Sequence, residues 1–138
     1  TYGALLAAVR DEATGQFKTV CKVGTGFSDE ELQQLVPRFQ PYVISTRDPL
    51  VESKMNADVW LQPAIVLQVV GDEITRSPVH TCAYGQIALG EGLAIRFPRF
   101  DGTWREDKSP EEATSVGEIV AAYQAQTKVA KAGKSGVD

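Results

Sequence analysis

Four cations and three aromatic side chains lie within one stretch of sixteen residues, positions 93–108. They are Arg96, Phe97, Arg99, Phe100, Trp104, Arg105 and Lys108. Cations of this kind bind phosphate groups, and aromatic rings stack on nucleic-acid bases or wedge between them. The stretch therefore indicates contact with a nucleotide or a nucleic acid. The same residues also fit a β-hairpin with a charged, solvated tip, and composition alone does not choose between the two.

Other reactive side chains stand alone in the sequence. His80 is the only histidine, and it has no Ser, Cys or carboxylate partner at a spacing that indicates catalysis. Cys21 and Cys82 lack the spacing of a metal site. We interpret them as free thiols of an intracellular protein, with a disulfide as the alternative. No dedicated set of metal ligands is evident, so no metal site is predicted.

Composition and charge limit the class of protein. The chain has 138 residues, a length typical of one domain, with 43% hydrophobic and 23% charged residues. Its net charge of −4 disfavours a protein that coats nucleic acid non-specifically, so any nucleic-acid role needs a local basic face. No apolar run reaches the roughly 18 residues of a membrane span, and no basic signal-peptide region opens the chain. No membrane partner is therefore expected.

The first elements that the sequence predicts form a hairpin. Residues 2–10 are an apolar run and residues 17–23 alternate, which predicts two antiparallel strands with a tip near Thr14-Gly15. Lys22 lies on the outer face of the second strand, where it can meet either phosphate or solvent. The segment Gly24-Thr25-Gly26-Phe27 is not followed by the GK[ST] of a phosphate-binding loop, so it predicts a tight turn.

A helix follows this turn. Ser28 and Glu31 have the spacing of a capping box at its start. Proline residues from Pro37 to Pro41 predict its end. The apolar stripe that should face the core consists of Leu32, Leu35 and Val36.

The middle of the chain alternates loops with strands. Residues 46–57 are polar and residues 84–92 are glycine-rich, which predicts loops, whereas 64–70 is a β-branched run typical of a buried strand. Trp60 is interpreted as a core anchor beside that strand. Residues 73–78 extend the same sheet or leave it.

Helical signals close the chain. Ser109, Pro110 and Glu112 predict a capped helical turn, and Ser115 caps a helix whose apolar stripe runs to about Gln126. Residues 128–138 are rich in Gly, Ala and Lys and predict a flexible tail.

About five strands in antiparallel hairpins, without regular βαβ alternation, predict a small β-barrel. The expected fold is mainly β with flanking helices. It is a five-stranded antiparallel OB-fold barrel over residues 1–127, with a C-terminal helix.

Three stretches in order resemble the C-terminal OB-fold domain of ATP-dependent DNA ligases of the archaeal and eukaryotic replicative type. They are 21–32 (CKVGTGFSDEEL), 96–100 (RFPRF) and 105–114 (REDKSPEEAT). The third is similar to the last nucleotidyltransferase signature of that family. The resemblance extends from Tyr2 to about Gln126 and is specific, because all three stretches match in sequence order.

The resemblance implies a role in making the lysyl-adenylate. Arg105 and Lys108 would close over the adenylation domain and orient the triphosphate of ATP, which the full-length enzyme uses together with Mg²⁺. Such a role suits phosphoryl transfer, where positioning and charge neutralisation supply most of the catalysis. Asp107 would hold one of these cations or contact the partner domain. Arg105 could alternatively pair with Glu106 or Asp107 in a purely structural role.

The resemblance also implies a grip on nicked duplex DNA. Arg99 and Phe100 match family residues that contact the backbone and press an aromatic ring into the minor groove. Arg96 and Lys22 are further candidates for phosphate contact. Phe100 could alternatively be a core residue.

Two departures from the family pattern limit what this chain can do. The family nucleophile is a lysine in a K-x-D-G motif, which is absent here. The chain alone should therefore be inactive and act in trans to that lysine. The resemblance also implies that the barrel lacks its first strand, so one sheet edge should stay unpaired, giving either low stability or pairing with a second copy.

Two other functions fit parts of the same pattern. One is a non-catalytic nucleic-acid-binding OB module that prefers single strands and stacks bases on its aromatic residues. The other is the OB domain of an mRNA-capping guanylyltransferase. The expected partners of a ligase domain are nicked DNA, the adenylation domain of the same polypeptide and, through the full-length enzyme, a sliding clamp. The expected location is the cytoplasm of an archaeon or the nucleus of a eukaryote.

Overall fold

The structure is a computed structural model that describes residues 3–137, with side chains described up to Thr127. Its strands are β1 (Leu5–Arg10), β2 (Phe17–Val23), β3 (Val43–Ile44), β4 (Val51–Glu52), β5 (Trp60–Leu61), β6 (Leu67–Val70), β7 (Glu73–Ser77), β8 (Gly92–Arg96) and β9 (Arg99–Trp104). Its helices are α1 (Asp29–Phe39) and α2 (Val116–Val137). Short 3-10 turns cover Gln40–Tyr42 and Pro110–Glu112. The prediction of a mainly β fold with flanking helices is confirmed.

β1 and β2 form the expected antiparallel hairpin. Leu5 lies opposite Val23 and Arg10 lies opposite Phe17, with a bulge between Ala7 and Ala8. The tip closes where the Gly15 N–H donates to the Asp11 carbonyl at 2.8 Å. β2 also pairs with the short strand β4 in parallel, which gives a β1-β2-β4 sheet. Residues 51 and 52 thus form a strand inside the predicted loop 46–57.

β6 to β9 form one bent antiparallel ribbon. Val70 lies opposite Arg99 and Glu73 opposite Arg96, so the β6-β9 and β7-β8 pairings keep a single register across the bend. Segments 71–72 and 97–98 interrupt the ladder at facing positions. The ribbon therefore bends at one place, and residue 97 lies at that place.

The sheets do not close into a barrel. The described strands pair as β1-β2-β4, β3-β5, β6-β9 and β7-β8. Asp101-Gly102 lies inside β9, where Gly102 has a φ of +97° and the Thr103 N–H donates to Asp101 Oδ1 at 3.0 Å. The register of the β6-β9 pair shifts between Leu67 and Val69.

α1 begins at the predicted capping box. Ser28 Oγ accepts from the Glu31 N–H at 3.1 Å, and Glu31 Oε1 accepts from the Ser28 N–H at 2.9 Å. Its core-facing side differs in one residue from the predicted stripe. Val36 is 40% exposed, whereas Leu35 and Phe39 are buried, because the helix continues past Pro37 and brings Phe39 onto the buried side.

The core lies between the hairpin, the ribbon and α2. Its buried members include Val9, Val23, Leu93, Phe100 and Ile119. Trp60, the predicted core anchor, is only half-buried and pairs with Ile44 through β3 and β5.

α2 is held against the free edge of β7. The Gln126 side-chain amide donates to the Ile74 carbonyl at 2.8 Å and accepts from the Ile74 N–H at 2.9 Å. Ser115 caps the helix as predicted, since its Oγ accepts from the Glu118 N–H at 3.1 Å. The backbone stays helical to Val137, past the predicted end at Gln126. The flexible tail predicted for residues 128–138 stays a prediction, because the side chains of these residues lie outside the described part of the chain.

No helix within the described residues has the length and apolarity needed to cross a membrane.

Candidate functional site

The cations that end the ribbon lie on a tight turn directly after β9. The Arg105 N–H donates to the Val66 carbonyl at 2.8 Å, and the Lys108 N–H donates to the Arg105 carbonyl at 3.2 Å. The Glu106 N–H donates to the Trp104 carbonyl at 3.0 Å. We call residues 104–108 the cation turn. Its backbone is hydrogen-bonded to residue 66, just before β6, and within the turn itself. These bonds fix the positions from which the Arg105 and Lys108 side chains extend.

Asp107 holds the Arg105 guanidinium in a two-point contact. Arg105 Nε donates to Asp107 Oδ1 at 3.0 Å, and Nη2 donates to Oδ2 at 2.9 Å. This pairing lowers the pKa of Asp107 to about 2 and raises the pKa of Arg105. The carboxylate is therefore charged at any working pH, and the guanidinium is pre-oriented. The pairing fits both the cation-holding role of Asp107 and the purely structural alternative.

Lys108 differs from Arg105 in its surroundings. Within the described part of the chain, its ammonium group makes no hydrogen bond or ion pair. The pKa of Glu112 is lowered mainly because its carboxylate accepts from the Ser109 N–H and O–H, each at 3.0 Å, and the charge of Lys108 adds a smaller effect there and at Asp107. The turn thus offers one cation that is held and one that is available for an anion.

The segment that follows the cation turn is anchored to the hairpin. The Arg10 N–H donates to the Thr114 carbonyl at 2.9 Å. Arg10 Nη1 donates to the Glu111 carbonyl at 3.2 Å. The predicted helical turn at Ser109 to Glu112 is present as a 3-10 turn with its capping box. The chain is therefore anchored both before and after the cation turn.

Phe97 lies at the bend of the ribbon, at the other end of β9. It is 61% exposed, and its φ of +51° is a left-handed conformation that is rare for a bulky side chain. The Arg96 guanidinium carbon lies 4.7 Å from the centre of its ring. An exposed aromatic side chain in a strained conformation has two unfavourable features at once, which is typical of a contact site.

Arg96 and Arg99 flank this exposed ring, and both have acidic partners. Arg96 Nη1 lies 2.6 Å from Glu73 Oε1, and Arg99 Nη1 lies 3.7 Å from Asp72 Oδ1. All four side chains are about half exposed. Ion pairs this exposed contribute little to stability, so a phosphate can replace the carboxylates at low cost.

Phe100 is a core residue, which corrects its assignment as the minor-groove wedge. It is only 2% exposed. Its ring stacks on Phe27 at 4.7 Å between centroids and lies 4.8 Å from Trp104. Phe100 lies opposite Val69 in the β6-β9 pair, and Val69 packs against the same core cluster. The alternative that placed Phe100 in the core is the one the structure supports.

The glycine turn before α1 packs directly on the backbone of Phe100. The Phe100 N–H donates to the Thr25 carbonyl at 2.9 Å. A Cβ at Gly26 would lie 2.0 Å from the Phe100 carbonyl oxygen. The turn is thus a packing element, as expected. Lys22, two residues before it, is exposed on β2.

The other reactive side chains are buried in structural positions. His80 is 8% exposed, and its Nδ1 lies 3.3 Å from Thr19 Oγ1. Cys21 and Cys82 are free thiols, as predicted. Both are buried, and burial raises the pKa of each thiol to about 12. Within the described residues, no three His, Cys, Asp or Glu side chains converge on a position for a metal ion.

The structure thus brings Arg105, Asp107 and Lys108 together and separates them from Arg96 and Arg99. Phe97 lies just before β9 and Arg105 just after it, so the two groups of cations lie at opposite ends of this strand. The sequence did not distinguish Phe97 from Phe100, since both follow an Arg. Only the position of Phe97 directly before Pro98, where backbone conformation is restricted, was a signal for the bend.

Comparisons with known proteins agree on one family. Residues 1–108 match the family model described as ATP dependent DNA ligase C terminal region. DNA ligase 2 of Thermofilum pendens is 56% identical over 130 residues, covering 94% of this chain and 22% of that protein. The DNA ligase of Pyrobaculum islandicum is 55% identical over 130 residues, with the same two coverages of 94% and 22%.

A solved structure supports the fold. The structure described as mycobacterial DNA ligase D complexed with ATP and MES aligns with a TM-score of 0.54, at 23% identity, over 81% of this chain and 32% of that chain. At this identity the likeness establishes an OB-fold-like architecture and nothing more. The chain spans about a fifth of the length of the curated relatives it matches, 22% in both cases above.

Proposed function

This chain belongs to the family of ATP-dependent DNA ligase C-terminal regions, and from that premise we propose that it serves two steps of nick sealing through the two ends of β9. At one end, Arg105 and Lys108 orient the triphosphate of ATP while a lysine of the adenylation domain attacks the α-phosphorus and pyrophosphate leaves. At the other end, the bend at Phe97 contacts nicked duplex DNA.

The cation turn carries the first role. Phosphoryl transfer is accelerated mainly by positioning and by neutralising the charge on the leaving group. Arg105 is pre-oriented by Asp107, and Lys108 has no competing ion pair within the described residues. Asp107 acts here as the holder of Arg105. The Mg²⁺ that accompanies ATP would be held with the triphosphate.

The exposed, strained ring of Phe97 supports the second role. An aromatic side chain that enters the minor groove can widen and bend a duplex beside a nick. Arg96 and Arg99, on either side of that ring, would exchange Glu73 and Asp72 for backbone phosphates. Lys22 is a further candidate for a phosphate contact, because it is exposed on β2.

The position of the two groups at opposite ends of β9 supports a sequence of two arrangements. A domain that contacts ATP with one end and DNA with the other must turn between the two steps. The adenylation domain of the same polypeptide and nicked DNA are therefore its proposed partners. A sliding clamp and the cellular compartment remain predictions.

Removing the cations tests the first role. In the full-length ligase, Arg105→Ala or Lys108→Ala should slow self-adenylation by roughly 10²-fold, the order of effect of losing one charge-stabilising group. Sealing of DNA that already carries the 5′-adenylate should stay nearly unchanged. Arg76→Ala removes an exposed Arg that pairs with Glu91 and serves as the control. Equal losses in both steps would refute the assignment.

Removing the exposed ring tests the second role. Phe97→Ala should weaken binding to nicked duplex by about 1–3 kcal/mol, the range of aromatic contacts with bases, without slowing self-adenylation. Phe100→Ala should instead destabilise the fold by about 3–5 kcal/mol, because it leaves a cavity in the core.

Arg99→Ala should lower the salt dependence of binding by about one unit. Fluorescence anisotropy on nicked and single-stranded DNA measures the binding of Phe97→Ala and Arg99→Ala, and denaturant unfolding measures the stability of Phe100→Ala. Tighter binding to single strands would contradict the proposal.

A further inference from the structure

We infer that Arg38, at the end of α1, is a positioning residue for the cation turn. This inference deepens the proposed function and rests on it, since it concerns how Arg105 is positioned. Arg38 lies 66 positions earlier in the chain than Trp104. The three stretches that mark the family do not include it.

Arg38 contacts the residues on both sides of Arg105. Its guanidinium carbon lies 4.3 Å from the centre of the Trp104 ring. Its Nη1 lies 3.6 Å from Glu106 Oε1. One planar group thus stacks on the residue before the cation and pairs with the residue after it. These two contacts restrain the turn on both sides of Arg105.

The end of α1 is built to place this guanidinium. Phe39 is 3% exposed and meets the Trp104 ring edge-on, with centroids 6.0 Å apart and an interplanar angle of 80°. Neighbouring helix residues diverge by about 100°, so Phe39 reaches the edge of the indole while Arg38 covers its face. The helix end and the strand end are therefore joined at Trp104.

Trp104 itself does not need Arg38 in order to stay in place. Phe100 lies 4.8 Å away on the core side, and Phe39 contacts another edge of the ring. Arg38 is about one-third exposed. Loss of its side chain should therefore leave the fold intact, free Glu106 and loosen the direction of the turn. This separates a positioning role from a structural one.

An arginine is needed for both contacts at once. The guanidinium is flat, so it can stack on an indole and still direct an N–H at a carboxylate, whereas the ammonium of lysine is a compact charge. If Arg38 acted only through its positive charge, lysine would replace it. If it acts by stacking and pairing together, lysine will not restore the rate.

The test uses the full-length ligase that carries this domain. The variants are Arg38→Ala, Arg38→Lys, Arg105→Ala and the double variant Arg38→Ala/Arg105→Ala. Self-adenylation with MgATP gives kcat and KM, and sealing of pre-adenylated nicked DNA reports the later step. Arg76→Ala is the matched control, because the Arg76–Glu91 pair has the same 3.6 Å separation as Arg38–Glu106 and Arg76 lies on β7, outside the cation turn.

The expected result is a loss confined to one step and one parameter. Arg38→Ala should lower kcat of self-adenylation by about three- to thirtyfold, the range of a partly desolvated cation–π contact, with KM for MgATP and the sealing step unchanged. Arg38→Lys should be nearly as slow. In the Arg105→Ala background, Arg38→Ala should have no further effect, because its action passes through Arg105.

Four results would overturn the inference alone. They are normal self-adenylation in Arg38→Ala beside a slow Arg105→Ala, equal slowing of both steps, full recovery in Arg38→Lys, and additive losses in the double variant. If Arg105→Ala itself adenylates normally, the proposed function fails, and this inference fails with it.

Discussion

The protonation of His80 depends on the hydrogen bonds that its buried neighbours make. Thr81 Oγ1 donates to the Glu52 carbonyl at 2.8 Å and accepts from the Thr19 N–H at 2.9 Å. Thr19 Oγ1 accepts from the Thr81 N–H at 3.1 Å, and its own proton can go to His80 Nδ1 or to Thr81 Oγ1, each 3.3 Å away. A neutral His80 can accept that proton. A protonated one would present a second donor in the same place.

The pH dependence of stability should therefore report on His80. Burial, assisted by the charge of Lys22, lowers the pKa of His80 below its ordinary value. Between the unfolded pKa of about 6.5 and the lower folded pKa, the unfolded chain binds more protons, so the free energy of unfolding should fall as pH drops below about 6.5. Urea unfolding at several pH values between about 5.5 and 7.5 measures this, since Asp and Glu titrate mostly below that window.

The matched variant for this prediction is His80→Asn. Its amide oxygen can accept from Thr19 Oγ1 but cannot gain a charge. Stability of His80→Asn should be nearly constant across the same window. If the variant loses stability with acid as the parent chain does, His80 is not the group responsible.

At the scale of elements, the glycine turn before α1 and the ribbon fit each other through one close contact. Gly26 has a φ of +90°, and a Cβ there would lie 2.6 Å from the Phe100 nitrogen as well as 2.0 Å from its oxygen. Both atoms belong to the backbone of β9, which cannot move aside without breaking its pairing. The turn therefore requires glycine for two reasons.

A pair of alanine substitutions separates those two reasons. Gly15 also has a positive φ, +76°, but nothing lies within 4 Å of a Cβ there. Gly15→Ala should cost about 1–2 kcal/mol, from backbone strain alone. Gly26→Ala should cost roughly 4 kcal/mol or more, because the clash adds to the strain. Denaturant unfolding of both variants tests this, and equal losses would show that the close approach is not energetically important.

At the scale of the whole molecule, two strand edges are open to a large cavity. β1 pairs only with β2, and β6 pairs only with β9 among the described strands. A cavity of about 1080 Å³ extends between them, lined by residues of β1 such as Leu6 and by residues of the 55–69 segment such as Val66. Unpaired strand edges are templates for pairing with another chain.

We therefore expect this chain by itself to associate through its edges and to unfold at a low temperature. Light scattering should give a mass that rises with concentration. Leu6→Lys places a charge beside the open edge of β1 and should reduce the association. Leu89→Lys makes the same change at a loop residue that is 99% exposed and should not. A monomer at all concentrations with high thermal stability would count against the prediction.

Much of the local structure could be predicted because its signals act between residues close in sequence. The capping boxes at Ser28 and Ser109, the hairpin tip at Gly15 and the cap at Ser115 each depend on contacts within four residues. The order of three short stretches identified the family, and the comparisons bear it out.

Only the tertiary structure decided which aromatic side chain is exposed and which residues contact the cation turn. Phe97 and Phe100 are three positions apart and each follows an Arg. Phe97 is nevertheless exposed and Phe100 lies in the core, because the ribbon bends at 97–98 opposite 71–72. Arg38 reaches Trp104 only after α1 docks on the end of β9. Local signals specify hydrogen bonds along the chain, whereas burial and long-range stacking depend on which strands and helices meet.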